Sequence, residues 1–376
     1  MLYLVYGSFT VNSAVSNRRL AYFKGLSETG VQTEVWFLFP DKYNSVVQQE
    51  FKNIHFKYCW QKGYIRNRYF KYLSYILYLI QLYRCLNSGD VVLTSGLYDV
   101  MSLLSLKKGI KLYVESTESP EVHRPSSKLY KSSLYGFLSL CKKLDGLFVI
   151  TTALRDYYIS KGVSADRVHI INMIVDGGRF EGFNKNATDR YIAYCGNGNN
   201  KKDRVDELIK IFNDISKTHR DVKLYLIGPT KQPYMDEKDN VELVKELGIE
   251  NSVVFTGEVN ASEIPQLLVN AVVLTLDRPD TIQNRCGFST KLGEYLMSGN
   301  PVVVTNTGDT GLFLKDHESA LLVKPGDNDT FKQQLVWVLE HPTESMAIGE
   351  RGRKVAQESF NYLTEVKKLV FYMGVK

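Results

Sequence analysis

Short apolar runs alternate with longer stretches of helical composition along the whole chain. In the first half these runs cover residues 2–6, 33–39, 91–94, 111–114, 146–150 and 168–171. In the second half they cover residues 191–195, 222–227, 253–256, 272–276, 301–305 and 320–323. Nearly continuous apolar strands that alternate with helices are typical of parallel sheets covered on both faces. The pattern therefore predicts an α/β fold with two Rossmann-like domains, each a doubly wound parallel sheet.

The chain of 376 residues is long enough for two domains with separate cores. Its hydrophobic fraction of 44% and charged fraction of 23% are ordinary for a globular protein. A polar, glycine-containing stretch at 176–190 is the expected boundary. We therefore assign residues 1–175 to an N-terminal domain and place the second domain after them.

Residues 64–86 form the most apolar helical segment, YIRNRYFKYLSYILYLIQLYRCL. Its uninterrupted core, residues 72–80, is too short to span a bilayer. Basic residues Arg66, Arg68, Lys71 and Arg84 flank that core, and tyrosines recur through it. This composition suits a helix at a membrane surface, and it equally suits a helix buried in the first domain.

Charge divides unevenly between the two halves. Residues 1–170 carry 22 Lys and Arg against 12 Asp and Glu, a net +10, and the whole chain carries +6. An excess of this size indicates an anionic partner such as phospholipid or a polyprenyl-phosphate carrier, or simply uneven surface charge. Nucleic acid is not expected, because the Tyr-rich segment lacks an RNA-recognition consensus.

Cysteine usage and the N-terminal sequence favour a cytoplasmic protein. Five cysteines lack CxxC spacing, which gives no reason to expect a zinc site or a disulfide framework. Met1 is followed by LYLVY without a small-residue cleavage pattern, so no signal peptide is expected.

The stretch 286–305, CGFSTKLGEYLMSGNPVVVT, predicts an anion site at the start of a helix. Residues 301–305 form a β-branched run, and a helix is expected to begin near Ser289 or Thr290, with Lys291 in its first turn. Unpaired backbone N–H groups and the helix dipole would hold a phosphate there. Glu294 lies in the same helix and would meet the hydroxyl pair of a sugar. The predicted ligand is a nucleotide or a nucleotide sugar.

A second candidate is the loop GNGNNKKD after the run 191–195. Backbone amides near Gly196 and Gly198 would approach a diphosphate, and Lys202 would neutralise it. The loop is not a dinucleotide fingerprint, because position 201 is Lys rather than a third glycine. A surface turn without a ligand is the alternative.

The segment GFSTKLGEYLMSGNPVVVT resembles the donor-binding signature of the retaining GT-B glycosyltransferase family four, also called glycosyl transferases group 1. In that family an acidic residue, a Gly-Phe loop and a second Glu hold the nucleotide sugar. Glu294 matches the second Glu, which binds ribose, whereas the first Glu position falls on Cys286. Lys202-Asp203 resembles the pyrophosphate-binding loop of the family. The arginine that often precedes this lysine in the family is absent, because Asn197 stands in its place, and Arg278 or Arg285 would take over its role. The implied donor contacts are Gly196, Asn197, Lys202, Arg278, Arg285, Cys286, Gly287, Phe288, Ser289, Thr290, Lys291 and Glu294.

The resemblance also implies the domain arrangement and an acceptor side. Residues 176–356 would form the donor domain, and residues 357–376 a helix that crosses back to the N-terminal acceptor domain, with a central cleft between the domains. Glu118 and His123, in the loop after the run 111–114, are the candidates near the reacting centre, together with Lys202. The loop 7–17 would face the same cleft, and Arg18 and Arg19 would bind an acceptor phosphate or be ordinary surface charges. The predicted acceptor-binding residues are Ser8, Asn12, Ser13, Arg18 and Arg19.

No metal ion and no cofactor are expected. Asp327-Asn328-Asp329 reads as a DxD motif, but PGDNDTF before an amphipathic stretch is typical of a helix N-cap. The donor itself, a nucleoside-diphosphate sugar, is a substrate.

The sequence therefore predicts a retaining glycosyltransferase, metal-independent and of hexosyltransferase type. It would transfer a sugar to a glycan or a polyprenyl-diphosphate-linked acceptor in bacterial surface polysaccharide synthesis, at the inner face of the cytoplasmic membrane. Two alternatives stay open: a sugar-nucleotide epimerase of the same fold, and a non-catalytic nucleotide-sugar or glycan-binding subunit, which the Cys286 position favours. A glycan phosphorylase would need a longer chain and a pyridoxal-phosphate lysine.

Overall fold

The computed structural model describes residues 1–5, 14–38, 51–59, 67–95, 98–122, 128–229 and 240–375. The chain divides into two compact units. Unit 1 comprises Met1–Ile174 and Tyr362–Lys376, and unit 2 comprises Val175–Asn361. Each unit is built around its own parallel sheet.

Within the described residues of unit 1, seven strands form one sheet in the order β3-β2-β1-β4-β5-β6-β7. The strands are β1 (Leu2–Val5), β2 (Thr33–Phe37), β3 (Ile54–Tyr58), β4 (Val91–Thr94), β5 (Lys111–Ser116), β6 (Gly146–Val149) and β7 (Val168–Ile170). All neighbouring strands pair in parallel. The helices are α1 (Ala14–Thr29), α2 (Arg68–Cys85), α3 (Tyr98–Leu104), α4 (Lys128–Cys141) and α5 (Thr152–Ser160). A doubly wound sheet of this order places β1 and β4 at the point where the strand order reverses.

Strand β3 is not among the apolar runs predicted from the sequence. Its sequence IHFKY alternates apolar and polar residues, because β3 is an edge strand with only one covered face. Phe56 and Tyr58 pack against the core, whereas His55 is exposed. Alternation of this kind, and not a continuous apolar run, is the pattern of a half-covered strand.

The C-terminal helix α15 (Tyr362–Met373) completes unit 1. Val366, Leu369 and Met373 are fully buried in the core beside α1. Glu365 fixes the helix, because its Oε2 accepts a hydrogen bond from the backbone N–H of Asn172 at 2.8 Å. The helix therefore returns to the sheet next to β7.

Helix α2 is apolar on two opposite sides. Tyr75, Tyr78, Leu79 and Leu82 are buried against unit 1. The outward face, which we call the outer face of α2, exposes a second set of large apolar side chains: Tyr69, Phe70, Tyr72, Leu73, Ile76, Leu77 and Ile80. The buried side agrees with a core helix, and the membrane-surface interpretation stays a prediction. Residues 64–66 lie outside the described residues. No helix among the described residues has the length and apolar character needed to cross a membrane.

Unit 2 repeats the architecture with six described strands in the order β10-β9-β8-β11-β12-β13. They are β8 (Arg190–Cys195), β9 (Val222–Ile227), β10 (Val253–Gly257), β11 (Val273–Leu276), β12 (Val302–Thr305) and β13 (Leu321–Val323). The helices are α6 (Asn200–Asp203), α7 (Val205–Thr218), α8 (Asn240–Leu247), α9 (Ile264–Asn270), α10 (Ile282–Cys286), α11 (Thr290–Met297), α12 (Thr310–Phe313), α13 (Asn328–Glu340) and α14 (Pro342–Ser359). All pairs are parallel. The strand order reverses between β8 and β11.

The boundaries between the units differ slightly from the predicted ones. The first lies between Ile174 and Val175, one residue before the predicted position. Helix α14 runs through the predicted boundary after residue 356, and the return to unit 1 begins at Tyr362. The reason is Phe360, which is fully buried in unit 2 against Phe288 and Phe313.

Candidate functional site

The carboxyl ends of β8 and β11 lie at the switch point of the unit 2 sheet. β8 ends at Cys195 and β11 ends at Leu276, and the two strands are direct neighbours. Ligands of open α/β sheets bind in the crevice outside such ends. The predicted donor contacts of the segments 196–202 and 278–294 follow these two strands.

The loop after β8 passes through a narrow space that only glycine fits. A Cβ on Gly196 would stand 2.4 Å from the Tyr194 hydroxyl and 2.5 Å from Lys291 Cε. Gly228, at φ +135°, follows β9, and a Cβ there would stand 2.0 Å from the Gly196 carbonyl oxygen. Both glycines keep the backbone of this loop next to α11, where a phosphate would meet it.

Helix α11 begins as the sequence predicts, with Ser289 as its N-cap and Thr290 as its first residue. The Ser289 side chain makes no capping hydrogen bond, and the Leu292 N–H of the first turn donates to the Ser289 carbonyl at 3.2 Å. The helix start therefore offers the N–H groups of Thr290 and Lys291 to an external acceptor such as a phosphate. Tyr295, one turn further, is fully buried. Its hydroxyl accepts from the Cys195 N–H at 2.7 Å and donates to the Cys195 carbonyl at 3.1 Å. This pair of hydrogen bonds fixes α11 on the end of β8.

Asp203 is the electrostatic centre of the site. Its buried carboxylate pairs with the Lys291 ammonium through Oδ2 and with Arg278 Nε through Oδ1 at 3.1 Å, and it accepts from the Tyr194 hydroxyl at 2.7 Å. Burial acts to raise the pKa of Asp203, but Lys291 and Arg278 hold it at about 2. Burial in turn lowers the pKa of Lys291 against the attraction of Asp203. Two cations predicted to contact the donor are thus oriented by one carboxylate of the chain.

A second ion pair crosses the first. Arg204 and Asp277 each neighbour a member of the Asp203–Arg278 pair in sequence, and they pair with each other at 3.1 Å. Arg204 has a left-handed backbone, φ 45°, and its Nη2 donates to Asn328 Oδ1 at 2.8 Å. Together the two ion pairs connect Asp203 and Arg204, just before α7, with Asp277 and Arg278, just after β11.

Lys202 lies beside this cluster. Its N–H donates to Asn199 Oδ1 at 2.9 Å, and its carbonyl accepts from Asn284 Nδ2 at 3.2 Å. The Lys202 side chain is half-buried, and its charge acts on Lys291. Three predicted donor cations, Lys202, Arg278 and Lys291, are therefore brought together.

Glu294 is bound by an arginine of the same unit. Arg179, in a 3₁₀ turn at Gly177–Phe180, forms a short ion pair with Glu294 Oε1. Arg179 Nη2 also donates to the Ala261 carbonyl at 3.0 Å. Glu294 and Arg179 both act on the Cys195 thiol, whose pKa burial raises to about 12. The predicted ribose contact thus stands at the carboxyl end of β8.

The remaining predicted donor residues take other positions. Arg285 is exposed and pairs with Asp280 at 3.0 Å. Cys286 is buried at the end of α10, Gly287 is the C-cap of that helix, and Asn197 is exposed. Phe288 packs against Phe313 and Phe360.

In unit 1 the predicted residues do not form one described cluster. Arg18 is buried, and its guanidinium donates to Glu115 Oε1 at 2.8 Å, to the Tyr22 hydroxyl at 2.9 Å and to the Asn172 carbonyl at 3.1 Å. Arg19 and Glu118 are half-buried. Ser8, Asn12, Ser13 and His123 lie outside the described residues. Arg18 thus has partners within the chain that the sequence gave no reason to expect.

The DxD motif is a helix cap. Asp327 Oδ1 accepts from the Thr330 N–H at 3.0 Å at the start of α13, and Asn328 bonds Arg204 and Glu207. Among the described residues, no group of three or more His, Cys, Asp or Glu side chains is placed to hold a metal ion.

Asp203 and Arg179 are the site residues that the sequence did not identify. Asp203 stands directly after Lys202, and a single acid in a basic loop was the available signal. Arg179 lies in VDGGRF, which the sequence analysis assigned to the polar boundary rather than to the site. Neither role is local, because the charged partners of Asp203 and of Arg179 lie more than 70 residues away in sequence.

The fold and site define a protein with two Rossmann-like parallel-sheet units of the GT-B class. Residues 179–355, which make up nearly all of unit 2 and just under half of the chain, match the family model of glycosyl transferases group 1. The resemblance predicted from the sequence is confirmed.

A curated relative is similar to part of the chain. The "MMP alpha-(1->4)-mannosyltransferase" of Mycolicibacterium hassiacum is 27% identical over 256 residues, which cover 65% of this chain and 60% of the relative. The match therefore spans less than two thirds of the relative's own length.

Solved structures resemble the chain over nearly its full length. The sucrose-phosphate synthase from Thermosynechococcus elongatus superposes with a TM-score of 0.75 at 15% identity, covering 98% of this chain and 97% of that one. HepE from Anabaena, in complex with UDP and glucose, gives a TM-score of 0.74 at 14% identity and covers 99% and 98%. These likenesses establish the fold, and the predicted fold class is confirmed.

Proposed function

We propose that the protein is a glycosyltransferase that uses a nucleoside-diphosphate sugar as donor. The observation that carries the proposal is the common position of Lys202, Lys291 and Glu294 at the carboxyl end of β8 and the start of α11. A helix N-terminus and two lysines suit a diphosphate, and a carboxylate one turn further along suits a ribose. The family of unit 2 and the UDP bound in HepE support the same ligand class.

In the proposed reaction, the chain stabilises the departing nucleoside diphosphate. Negative charge grows on the leaving diphosphate as the bond to the sugar breaks, and in this proposal Lys202, Lys291 and the N–H groups at the start of α11 neutralise it. The family resemblance supports retention of the anomeric configuration and turnover without a metal ion. Both are parts of the proposal.

We further propose a glycan or a polyprenyl-diphosphate-linked acceptor, in surface polysaccharide synthesis at the inner face of the cytoplasmic membrane. The support is the outer face of α2, together with the basic residues Arg68, Lys71 and Arg84 and the absence of acidic residues in that helix. Apolar side chains flanked by cations suit a peripheral contact with anionic lipid.

A donor panel tests the proposal. The protein is incubated with UDP-, GDP-, ADP- and CDP-sugars with and without EDTA, with water as the acceptor of the sugar, and release of the nucleoside diphosphate and of the free sugar is measured. We expect turnover of one nucleotide class, unchanged by EDTA. Glu294→Ala and Lys202→Ala are each expected to weaken binding of that nucleotide by roughly 1.5 to 3 kcal/mol, whereas Lys223→Ala, in β9, serves as the control.

The alternatives give different results in this panel. A binding subunit would bind a nucleotide sugar without turnover, and an epimerase would convert the donor without an acceptor. Loss of turnover in EDTA that Mg²⁺ restores would contradict metal independence. Normal nucleotide affinity in both alanine variants would contradict the donor site.

A further inference from the structure

Arg179 and Glu294 form a charged pair at the carboxyl end of β8. The guanidinium is fixed at a second point, because Nη2 donates to the Ala261 carbonyl at 3.0 Å while Nη1 binds Glu294 Oε1. The two side chains are 24% and 19% exposed, so the pair is half-buried and borders solvent. A guanidinium held at two points allows little rotation, and it therefore restricts the orientation of the carboxylate that it binds.

The carboxylate keeps one oxygen for an outside donor. Glu294 Oε1 is taken by Arg179, and no hydrogen bond to Oε2 is found among the described residues. An ionised carboxylate only accepts hydrogen bonds, so Oε2 fits a hydroxyl group that donates. Burying such an oxygen without a donor costs free energy, and a ligand hydroxyl would remove that cost.

The spacing along α11 fits the two ends of a ribose phosphate. Lys291 and Glu294 are three residues apart and therefore lie on the same face of the helix. Lys291 faces Asp203 on the side of the N-terminus, and Glu294 faces Arg179 one turn further. Each residue predicted to touch the donor is thus held by an oppositely charged residue of the same unit.

We propose that Arg179 is a positioning residue that orients Glu294 toward the ribose hydroxyls and thereby selects ribonucleotides over deoxyribonucleotides. The inference rests on the proposed function, since it takes the nucleotide of the donor as the ligand. Arg179 acts through Glu294: the ion pair fixes the orientation of the carboxylate and points Oε2 at the ligand. Selection against a missing hydroxyl follows, because that ligand would leave Oε2 without its donor.

The test compares affinities for matched nucleotides. Dissociation constants of UDP, 2′-deoxy-UDP and 3′-deoxy-UDP are measured by calorimetry for the parent protein, Glu294→Gln, Arg179→Met, Arg179→Lys and the Glu294→Gln/Arg179→Met double variant. The corresponding GDP and ADP sets follow if UDP does not bind. Arg190→Met is the matched control, because Arg190 pairs with Asp221 at the opposite end of the same strand. Circular dichroism and melting curves check that each variant is folded.

We expect the parent to bind the ribonucleotide about tenfold more tightly than at least one deoxy analogue. Arg179→Met and Glu294→Gln should each bring this ratio close to one, and the double variant should change it no further. Arg179→Lys should give an intermediate ratio, and Arg190→Met should keep the parent ratio.

Two results would overturn the inference while leaving the proposed function intact. In one, Glu294→Gln loses the ratio and Arg179→Met keeps it. In the other, Arg179→Met weakens binding of all analogues equally, as a purely structural role requires. If the parent binds nucleotide but shows no ratio, or if Glu294→Gln keeps it, the ribose contact itself is wrong, and the positioning role fails with it.

Discussion

Asp203 and Asp277 are two carboxyl groups of one ion-pair network whose pKa values move in opposite directions. Lys291 and Arg278 keep the pKa of Asp203 at about 2. Burial raises the pKa of Asp277 to about 6 in spite of Arg204, and the charges of Glu207, Asp206 and Asp203 act in the same direction as burial. Neither Asp277 oxygen has a well-oriented hydrogen bond, although Arg204 stands 3.1 Å away. Asp203, with the two cationic partners Lys291 and Arg278, is therefore more easily charged than Asp277, which pairs with Arg204.

The raised pKa of Asp277 makes stability depend on pH in a predictable direction. The pKa in the folded protein, about 6, lies above the usual aspartate value of 3.8 that applies to the unfolded chain, so folding takes up a proton between these pH values. The free energy of unfolding should therefore rise as the pH falls from 7 to 4.5. Compared with Asp277→Asn, the parent should gain about 2 kcal/mol over this range.

Urea unfolding at pH 7 and pH 4.5 measures this difference. Asp280→Asn, an exposed aspartate three residues further along, is the control and should follow the parent at both pH values. A constant offset between the parent and Asp277→Asn across the range would contradict the raised pKa.

Single residues were predictable from the sequence where their roles are local. The helix start at Ser289 and Thr290 is confirmed, because a helix start can be read from a short segment. The one-turn spacing of Lys291 and Glu294 can be read from the same segment, and their donor contacts stay predictions. The partners Asp203 and Arg179 were not found, because they meet α11 only through the fold of the sheet. Sequence patterns thus locate the residues expected to touch a ligand better than the residues that hold them.

Among the elements, helix α2 differs most from the usual surface helix of a globular protein. A surface helix usually has one apolar stripe, whereas α2 is apolar on its buried side and on its outer face. The apolar composition was clear in the sequence. The division of these apolar residues into a buried face and an exposed face was not clear in the sequence, because it depends on which side of α2 packs against the rest of unit 1. β3 was missed for the opposite reason, since its one-sided cover leaves too few apolar residues in a row.

If the outer face of α2 contacts lipid, polar substitutions there should weaken membrane association without affecting folding. Leu73, Ile76 and Leu77 are each more than half exposed, at 51%, 52% and 58%. Replacing all three with Gln should reduce co-sedimentation with anionic liposomes about tenfold or more, because each side chain loses apolar burial in the lipid. The melting temperature should change little, since exposed positions contribute little to stability.

Leu312→Gln provides the control, because Leu312 is an exposed leucine of unit 2, at 68%. Added salt should weaken binding of the parent, since the flanking arginines and lysine act through screened charges. A parent protein that ignores anionic liposomes at low salt would contradict the membrane contact.

For the whole molecule, the two sheets have related strand orders, and the described residues at their switch points differ. In unit 2 the described residues around the switch point form a network of ion pairs and hydrogen bonds. In unit 1 the loop directly after β1 lies outside the described residues, and Arg18 of α1 pairs with Glu115 of β5. The two-sheet organisation was predictable from the alternation of strands and helices, and the family of unit 2 from its donor segment.

Nucleotide binding should therefore protect unit 2 selectively in hydrogen exchange. With a saturating nucleotide from the donor panel, we expect slower exchange in residues 196–203 and 287–295, because ligand contacts and reduced local opening protect these amides. Amides of α2 and α15 should exchange at unchanged rates. Mass spectrometry of peptic fragments gives the comparison, and protection confined to unit 1 would contradict a donor site in unit 2.

The close approach of Gly196 and Gly228 also bears on how tolerance to substitution should be interpreted. A side chain at either position would collide with atoms already in place, with the Gly196 carbonyl oxygen only 2.0 Å from a Cβ on Gly228. A saturation mutagenesis screen for activity would therefore score Gly228 as strictly as a ligand-binding residue, although it has no side chain to offer a ligand. Selection at such a position favours the absence of a side chain, because only then can the backbone of one loop pack directly against the backbone of the next.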